Sequence, residues 1–166
     1  MYNKKMKSKN KIKIKKATKQ DISDITSIHK SCVKIINAKF YPKNVISLWL
    51  KQITEKNIKD QLHNSKWLVL KLNDKTIGFA QYSIQAKTLY QINISPKYSG
   101  KGFGKILYSY IENEFLKNKA KTIKLNSTLN AVSFYKNLGF KKIKNISFKI
   151  DSASIKMVAM KKNLHI

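Results

Sequence analysis

The sequence predicts a mixed α/β fold in one domain, and three observations carry that expectation. Several short stretches alternate apolar and polar residues with period two, the mark of half-buried strands. Longer stretches repeat their apolar residues every three or four positions, the mark of amphipathic helices. The two kinds interleave along 166 residues with no internal repeat and no linker rich in Pro, Gly or Ser. That length supports one proper core, and 42% apolar content argues against disorder.

Residues 1–10 are polar and basic and are expected to fray, leaving 11–166 as the folded domain. Ile12 and Ile14 alternate with lysines in a first strand. Thr18 and Asp21 have capping-box spacing, and Ile22, Ile25, Ile28 and Cys32 follow at helical spacing. Tyr41-Pro42 breaks that helix. "NVISLWLKQ" and "TEKNIKDQL" form a second, shorter helical region. "KWLVLKL", "KTIGFAQYSI" and "TLYQINIS" read as three strands of an antiparallel meander, with a turn at Asn73-Asp74. Phe103, Ile106, Leu107, Tyr110, Ile111 and Phe115 mark a long amphipathic helix. "TIKLN" is a strand, "NAVSFYKNLGF" a short helix stopped at Gly139, and two strands meet around Asp151-Ser152. The predicted order is β-α-α-β-β-β-α-β-α-β-β.

The formal charge of +27 raises nucleic acid as a partner. All 35 basic residues are lysine, none arginine, and they are scattered along the chain. Readers of nucleic acid rely on arginine's planar fork, so this reading stays open without being favoured. Lysines on solvated faces still attract anions. No apolar run approaches the ~20 residues of a membrane helix, so no membrane partner is expected. The basic start lacks the apolar segment of a secretory signal, and the one cysteine, Cys32, has no internal partner; a reducing cytoplasm fits best.

Three of the five glycines, Gly100, Gly102 and Gly104, fall within five residues, between a strand ending at Ile94-Ser95-Pro96 and the long helix. A strand, a glycine loop and a helix N-terminus make an anion site, because unpaired N–H groups and the helix dipole both favour phosphate. Glycine lets the phosphate approach the backbone. The loop is no P-loop, since Gly104-Lys105 is followed by Ile106, and it is no dinucleotide fingerprint, since its spacing is G-x-G-x-G. Read alone, it also fits a purely structural turn.

A second stretch, Asn130, Ala131, Phe134, Tyr135, Gly139 and Phe140, narrows the choice. Together with Ile94 to Lys105 it resembles the GNAT superfamily of acetyl-CoA-dependent N-acetyltransferases. "FYPKNVISLWL" is similar to a tyrosine-to-tryptophan stretch in one bacterial branch of that family. The resemblance runs from Ile12 to Met160, with Ser99 where Arg or Gln is usual. It implies a GNAT-type fold: one mostly antiparallel sheet flanked by helices.

The resemblance also implies direct acetyl transfer from bound acetyl-CoA, the co-substrate, to a small-molecule or peptide amine. Ser99, Gly100, Lys101, Gly102, Phe103, Gly104 and Lys105 would hold the pyrophosphate. Backbone groups near Ile92 and Ile94, with Asn130, would hold the pantetheine arm, and Tyr135 would protonate the leaving thiolate. Where many relatives carry Glu on the fourth strand, this chain has only Gln91 and Asn93. A water chain, or an acid or His from elsewhere, must then take the amine's proton. His29 is the side-chain candidate, against the reading of a lone helical His as merely solvated or packed. Glu112 and Glu114 read as solvated charges and Trp49 and Trp67 as core anchors. His63 and His165 form no ligand cluster with Cys32, so no metal is expected. Alternatives are a coenzyme-A-binding domain without turnover and a basic nucleic-acid-binding protein. Either a monomer or a homodimer paired through the last strand is expected.

Overall fold

The computed structural model describes residues 11–165; the expectation for residues 1–10 lies outside them. Seven strands make one sheet: β1 (Ile12–Lys16), β2 (Lys66–Leu72), β3 (Lys75–Ser83), β4 (Thr88–Ile94), β5 (Thr122–Thr128), β6 (Lys141–Ile150) and β7 (Ala153–Asn163). The helices are α1 (Ile22–Ile35), α2 (Lys43–Gln52), α3 (Glu55–Gln61), α4 (Phe103–Lys117) and α5 (Val132–Asn137). Spatial order is β1-β2-β3-β4-β5-β7-β6, antiparallel except between β4 and β5. The fold is therefore the mixed α/β arrangement expected.

Two details differ from the sequence reading. The second helical region is two helices, because Ile53 is extended (φ −88°, ψ 93°) and Thr54 starts α3 by accepting the Asn57 N–H at 3.1 Å. The last strand is internal: β7 lies between β5 and β6, so β6 and β1 are the edges. Self-pairing through the last strand is thereby excluded, since both of its sides are used.

Strand periodicity sorts the core onto two faces. Trp67, Val69 and Phe79 pack with Ile22, Ile25 and Ile28 of α1 and Ile58 of α3. Leu68, Leu70, Ala80 and Tyr82 pack with Leu107, Ile111 and Phe115 of α4. Covered on both faces, β3 is buried from Thr76 to Tyr82. The stripe of α4 is rotated from the expected one: Tyr108 is buried, whereas Ile106 and Tyr110 are each 39% exposed. α2 covers the β6/β7 hairpin, packing Val45 and Ile46 with Ile150 of β6 and Ile155 of β7.

The capping box at Thr18 forms as read, and its Asp21 is buried beneath β1 and β2. Its carboxylate accepts from the Thr18 N–H at 2.9 Å and the Thr18 hydroxyl at 3.0 Å, with Lys15 and Lys71 beside it. Burial alone would raise this carboxyl, but the Thr18 and Lys15 hydrogen bonds bring it below its ordinary value. At the other end, Gly78 lets β3 meet β4 closely; a Cβ there would lie 2.5 Å from Ile94 Cδ1 and 2.9 Å from Asn93 O.

Candidate active site

β4 and β5 share one registered pair, Thr88 with Lys124, near the start of β4. Beyond it the two strands part. Their separation opens a cleft of about 850 Å³, walled by α1, β4, the glycine loop, β5 and α5.

The hydrogen-bond phase of β4 decides what faces this gap. The Ser95 N–H bonds Ile77 O at 2.8 Å, and the register pairs Asn93 with Phe79 and Gln91 with Gln81. In an antiparallel ladder a residue turns its N–H and C=O to the same side, alternating along the strand. Gln91 and Asn93 therefore spend theirs on β3, and Ile92 and Ile94 direct theirs into the gap. There the Ile94 carbonyl accepts the Cys32 thiol at 3.2 Å. Among the described residues the Ile92 backbone pair and the Ile94 N–H meet no strand partner and form a free edge.

The glycine loop closes one end. Gly100 and Gly102 have φ +73° and +86°, and a Cβ on either would meet nothing within 4 Å. A side chain would project into open space and be strained doing so. Gly104 lies against the Phe134 ring, 3.3 Å from where its Cβ would be. The first helical hydrogen bond of α4 runs from the Ile106 N–H to Gly102 O at 3.1 Å, leaving the N–H groups of Phe103, Gly104 and Lys105 outside the helix ladder.

Across the cleft, the Asn130 Oδ1 is buried without a hydrogen-bond partner among the described residues. A buried amide oxygen lacking a donor is costly, so this atom suits a ligand N–H. Tyr135 is buried, with the rings of Phe134 and Phe140 edge-on at 5.1 and 5.7 Å. Burial raises its phenol above the ordinary value and keeps it protonated. The turn that carries Asn130 is tied to β7 by Tyr41, whose hydroxyl donates to Lys156 O at 2.7 Å and accepts the Leu129 N–H at 3.0 Å.

Of the residues singled out in the sequence, Ile92, Ile94, Ser99, Gly100, Gly102, Gly104, Lys105, Asn130 and Tyr135 line this cleft. The side chains of Lys101 and Phe103 do not. Lys101 lies over the Tyr98 ring at 5.8 Å, and Phe103 packs edge-on against the same ring at 6.3 Å. Only their backbones belong to the loop.

The other half of the cleft is formed by α1 and α2. His29 lines it, and burial pushes its imidazole down to about 4. Trp49, expected in the core, also lines it, edge-on to Tyr41 at 5.5 Å; Trp67 stacks on Phe79 inside the core. Asn37, Asn126 and Thr128 add neutral polar groups, and no Asp or Glu appears among the described residues lining the cleft. Glu112 is bound elsewhere, to Lys162 at 2.6 Å, and Glu114 to Lys117 at 3.3 Å. No His/Cys/Asp/Glu group suited to a metal occurs among the described residues.

The cleft is thus formed by a splayed β4/β5 pair beside a glycine loop and a helix N-terminus. The model of the acetyltransferase (GNAT) domain matches residues 36–164. The chain belongs to the GNAT acetyltransferase family. It is thus an acyltransferase by kind, with the fold of its relatives. An uncharacterized N-acetyltransferase, ycf52, of Pyropia yezoensis is 26% identical over 147 residues, covering 76% of this chain and 84% of the relative. The GCN5-related N-acetyltransferase structure of Rhodopseudomonas palustris superposes with TM-score 0.86 at 18% identity, over 92% of this chain and 95% of that one. PaiA N-acetyltransferase of Thermoplasma acidophilum, solved in complex with coenzyme A, gives TM-score 0.76 at 22% identity, over 93% and 99%. No helix among the described residues of this GNAT chain is long and apolar enough to cross a membrane.

Proposed function

We propose that this acetyltransferase, one catalytic domain over 11–166, moves the acetyl group of acetyl-CoA onto a primary amine by direct transfer in a ternary complex. The single observation that best supports it is the free backbone edge of Ile92 and Ile94 facing the cleft beside the glycine loop. An amide-bearing arm can add to that edge as a strand would. The loop of Gly100, Gly102 and Gly104 and the first N–H groups of α4 would receive the pyrophosphate, with Lys105 adding charge. Asn130 Oδ1 would accept an N–H of the arm.

Acetyl-CoA supplies the activated acetyl group as a thioester. The Ile92 N–H would hold the carbonyl oxygen as negative charge develops on it. The amine nitrogen bonds to the carbonyl carbon and the carbon–sulfur bond breaks. Tyr135 gives its proton to the departing sulfur, and the proton lost by the amine restores the phenol through water. The sum is amine plus acetyl-CoA giving acetamide plus free thiol. Thiol release measured against a panel of amines tests this: release that requires both substrates supports it, and release equal with and without amine contradicts it.

A coenzyme-A-binding domain without turnover is the second reading. It is favoured by the absence of a carboxylate among the described residues lining the cleft. The same assay separates the two, since such a domain would be stabilised by acetyl-CoA and release no thiol.

A further inference from the structure

Four side-chain amides and hydroxyls form a directed ladder from the end of α3 to the cleft. Its anchor is Ser65, whose Oγ accepts the indole N–H of Trp67 at 3.0 Å and donates to Gln61 O at 3.3 Å. An indole N–H can only donate, and the Ser65 proton is already used. The remaining lone pair of Ser65 Oγ therefore needs a donor, which is Gln81 Nε2 at 3.0 Å. This fixes the Gln81 amide with Oε1 toward β4, where it accepts Gln91 Nε2 at 2.9 Å. Gln91 then turns its Oε1 to Asn93, which donates Nδ2 at 2.9 Å. Each amide dictates the sense of the next, so the sense of the last is set three links away.

The end of the ladder is Asn93 Oδ1, which accepts no hydrogen bond from the described residues. Asn93 lines the cleft beside Ile92 and Ile94, on the sheet face that carries His29 and α1. We infer that the Ser65–Gln81–Gln91–Asn93 ladder holds Asn93 Oδ1 as the acceptor for one N–H of the incoming amine, leaving the nitrogen lone pair to face the thioester. This rests on the proposed transfer to an amine and names the group that orients it. Gln81 does not line the cleft, so it is a positioning residue.

The chemistry of this acceptor also selects substrates. An uncharged carbonyl takes the N–H of a neutral amine without the Coulomb attraction that a carboxylate offers to an ammonium. With no acid among the described lining residues, a polycation has nothing to neutralise it there. The substrate class is a single amine on a neutral or anionic body, bound as the free base.

The test pairs side-chain amide NMR with kinetics on three probes: an alanine tripeptide with a free amino terminus, Nα-acetyl-lysine and spermidine. In the wild type the Gln81, Gln91 and Asn93 NH₂ signals are dispersed, and Gln81→Met merges those of Gln91 and Asn93 with free amides. Gln81→Met and Asn93→Leu each raise the tripeptide KM about tenfold while leaving the acetyl-CoA KM within twofold, as expected for one lost hydrogen bond of ~1.4 kcal/mol. Spermidine is the poorest of the three for the wild type. An unchanged tripeptide KM in the folded Gln81→Met or Asn93→Leu protein overturns the ladder. Spermidine as the best substrate overturns the substrate class, whereas no turnover of any probe by a wild type that acetyl-CoA stabilises points to a coenzyme-A-binding domain without turnover and overturns the transfer reading. A wild type that acetyl-CoA fails to stabilise overturns that same reading, on which both depend.

Discussion

The Cys32 thiol donates a hydrogen bond to the Ile94 carbonyl across 3.2 Å, joining α1 to the open edge of β4. The contact occupies the one β4 carbonyl nearest the glycine loop and leaves the Ile92 pair for a ligand. Burial pushes the thiol up to about 12, so almost none is thiolate near neutrality. At pH 8 its thiolate fraction lies on the order of 10³-fold below that of free cysteine, whose pKa is ~8.5. Cys32 is therefore predicted to react with a disulfide reagent at least about tenfold more slowly, the higher nucleophilicity of a high-pKa thiolate offsetting part of the difference. Reaction at the free-thiol rate in the folded protein contradicts this contact, and urea should restore that rate.

Tyr135→Phe keeps the ring among Phe134 and Phe140 and removes only the proton donor. Turnover is expected to fall by ~10²–10⁴, with acetyl-CoA affinity nearly unchanged. Full turnover in the variant assigns the hydroxyl to packing alone.

The pH profile of kcat/KM follows from His29. A group pushed down to about 4 is already unprotonated across neutral pH, so it adds no limb near 6 to 7. The rate should climb with pH until each amine reaches its own pKa, ~8 for an α-amine and ~10.4 for a lysine side chain. Two acceptors sharing one limb between 6 and 7 would show an enzymic base and contradict this.

Acid stability has two predicted sources of loss. His29 stays neutral in the fold down to about 4, whereas unfolded it binds a proton below 6.5, so stability falls as pH drops between those values. Asp21, with its folded value lowered, contributes stability above ~4 that is lost as pH falls through the folded value. Urea unfolding against pH reads both: His29→Phe should remove the first slope and Asp21→Asn the second. Slopes unchanged by either substitution contradict the assignment.

The parts legible in the sequence were those encoded locally. Period-two alternation marked β1 and β4, short apolar runs marked β2 and β3, and the clustered glycines located the turn where Gly100 and Gly102 take positive φ. The break at Thr54 was also written locally, as an N-cap, and was passed over because the apolar pattern runs across it. What stayed hidden depends on long-range register. Nothing in the sequence shows that β7 inserts between β5 and β6, or that Gln81 stands opposite Gln91. The amide ladder exists only through that pairing. A lone tryptophan on a helix fits a core anchor, but with α2 docked on β7 the Trp49 ring lines the cleft. In α4, Ile106 and Tyr110 fit the period yet lie past the edge of the sheet's cover, so Tyr108 takes the buried place.

The central claim is that the gap between β4 and β5, closed by the glycine loop, binds acetyl-CoA, and thermal unfolding with and without the ligand tests it most directly. At about 100 times its dissociation constant acetyl-CoA should add ~2.7 kcal/mol, several degrees in Tm. Gly102→Glu should abolish the shift, because its side chain would place a carboxylate in the open space above the loop, where phosphate is proposed to sit. A wild-type Tm unchanged by saturating acetyl-CoA, or a Gly102→Glu protein stabilised as strongly as the wild type, would contradict the account.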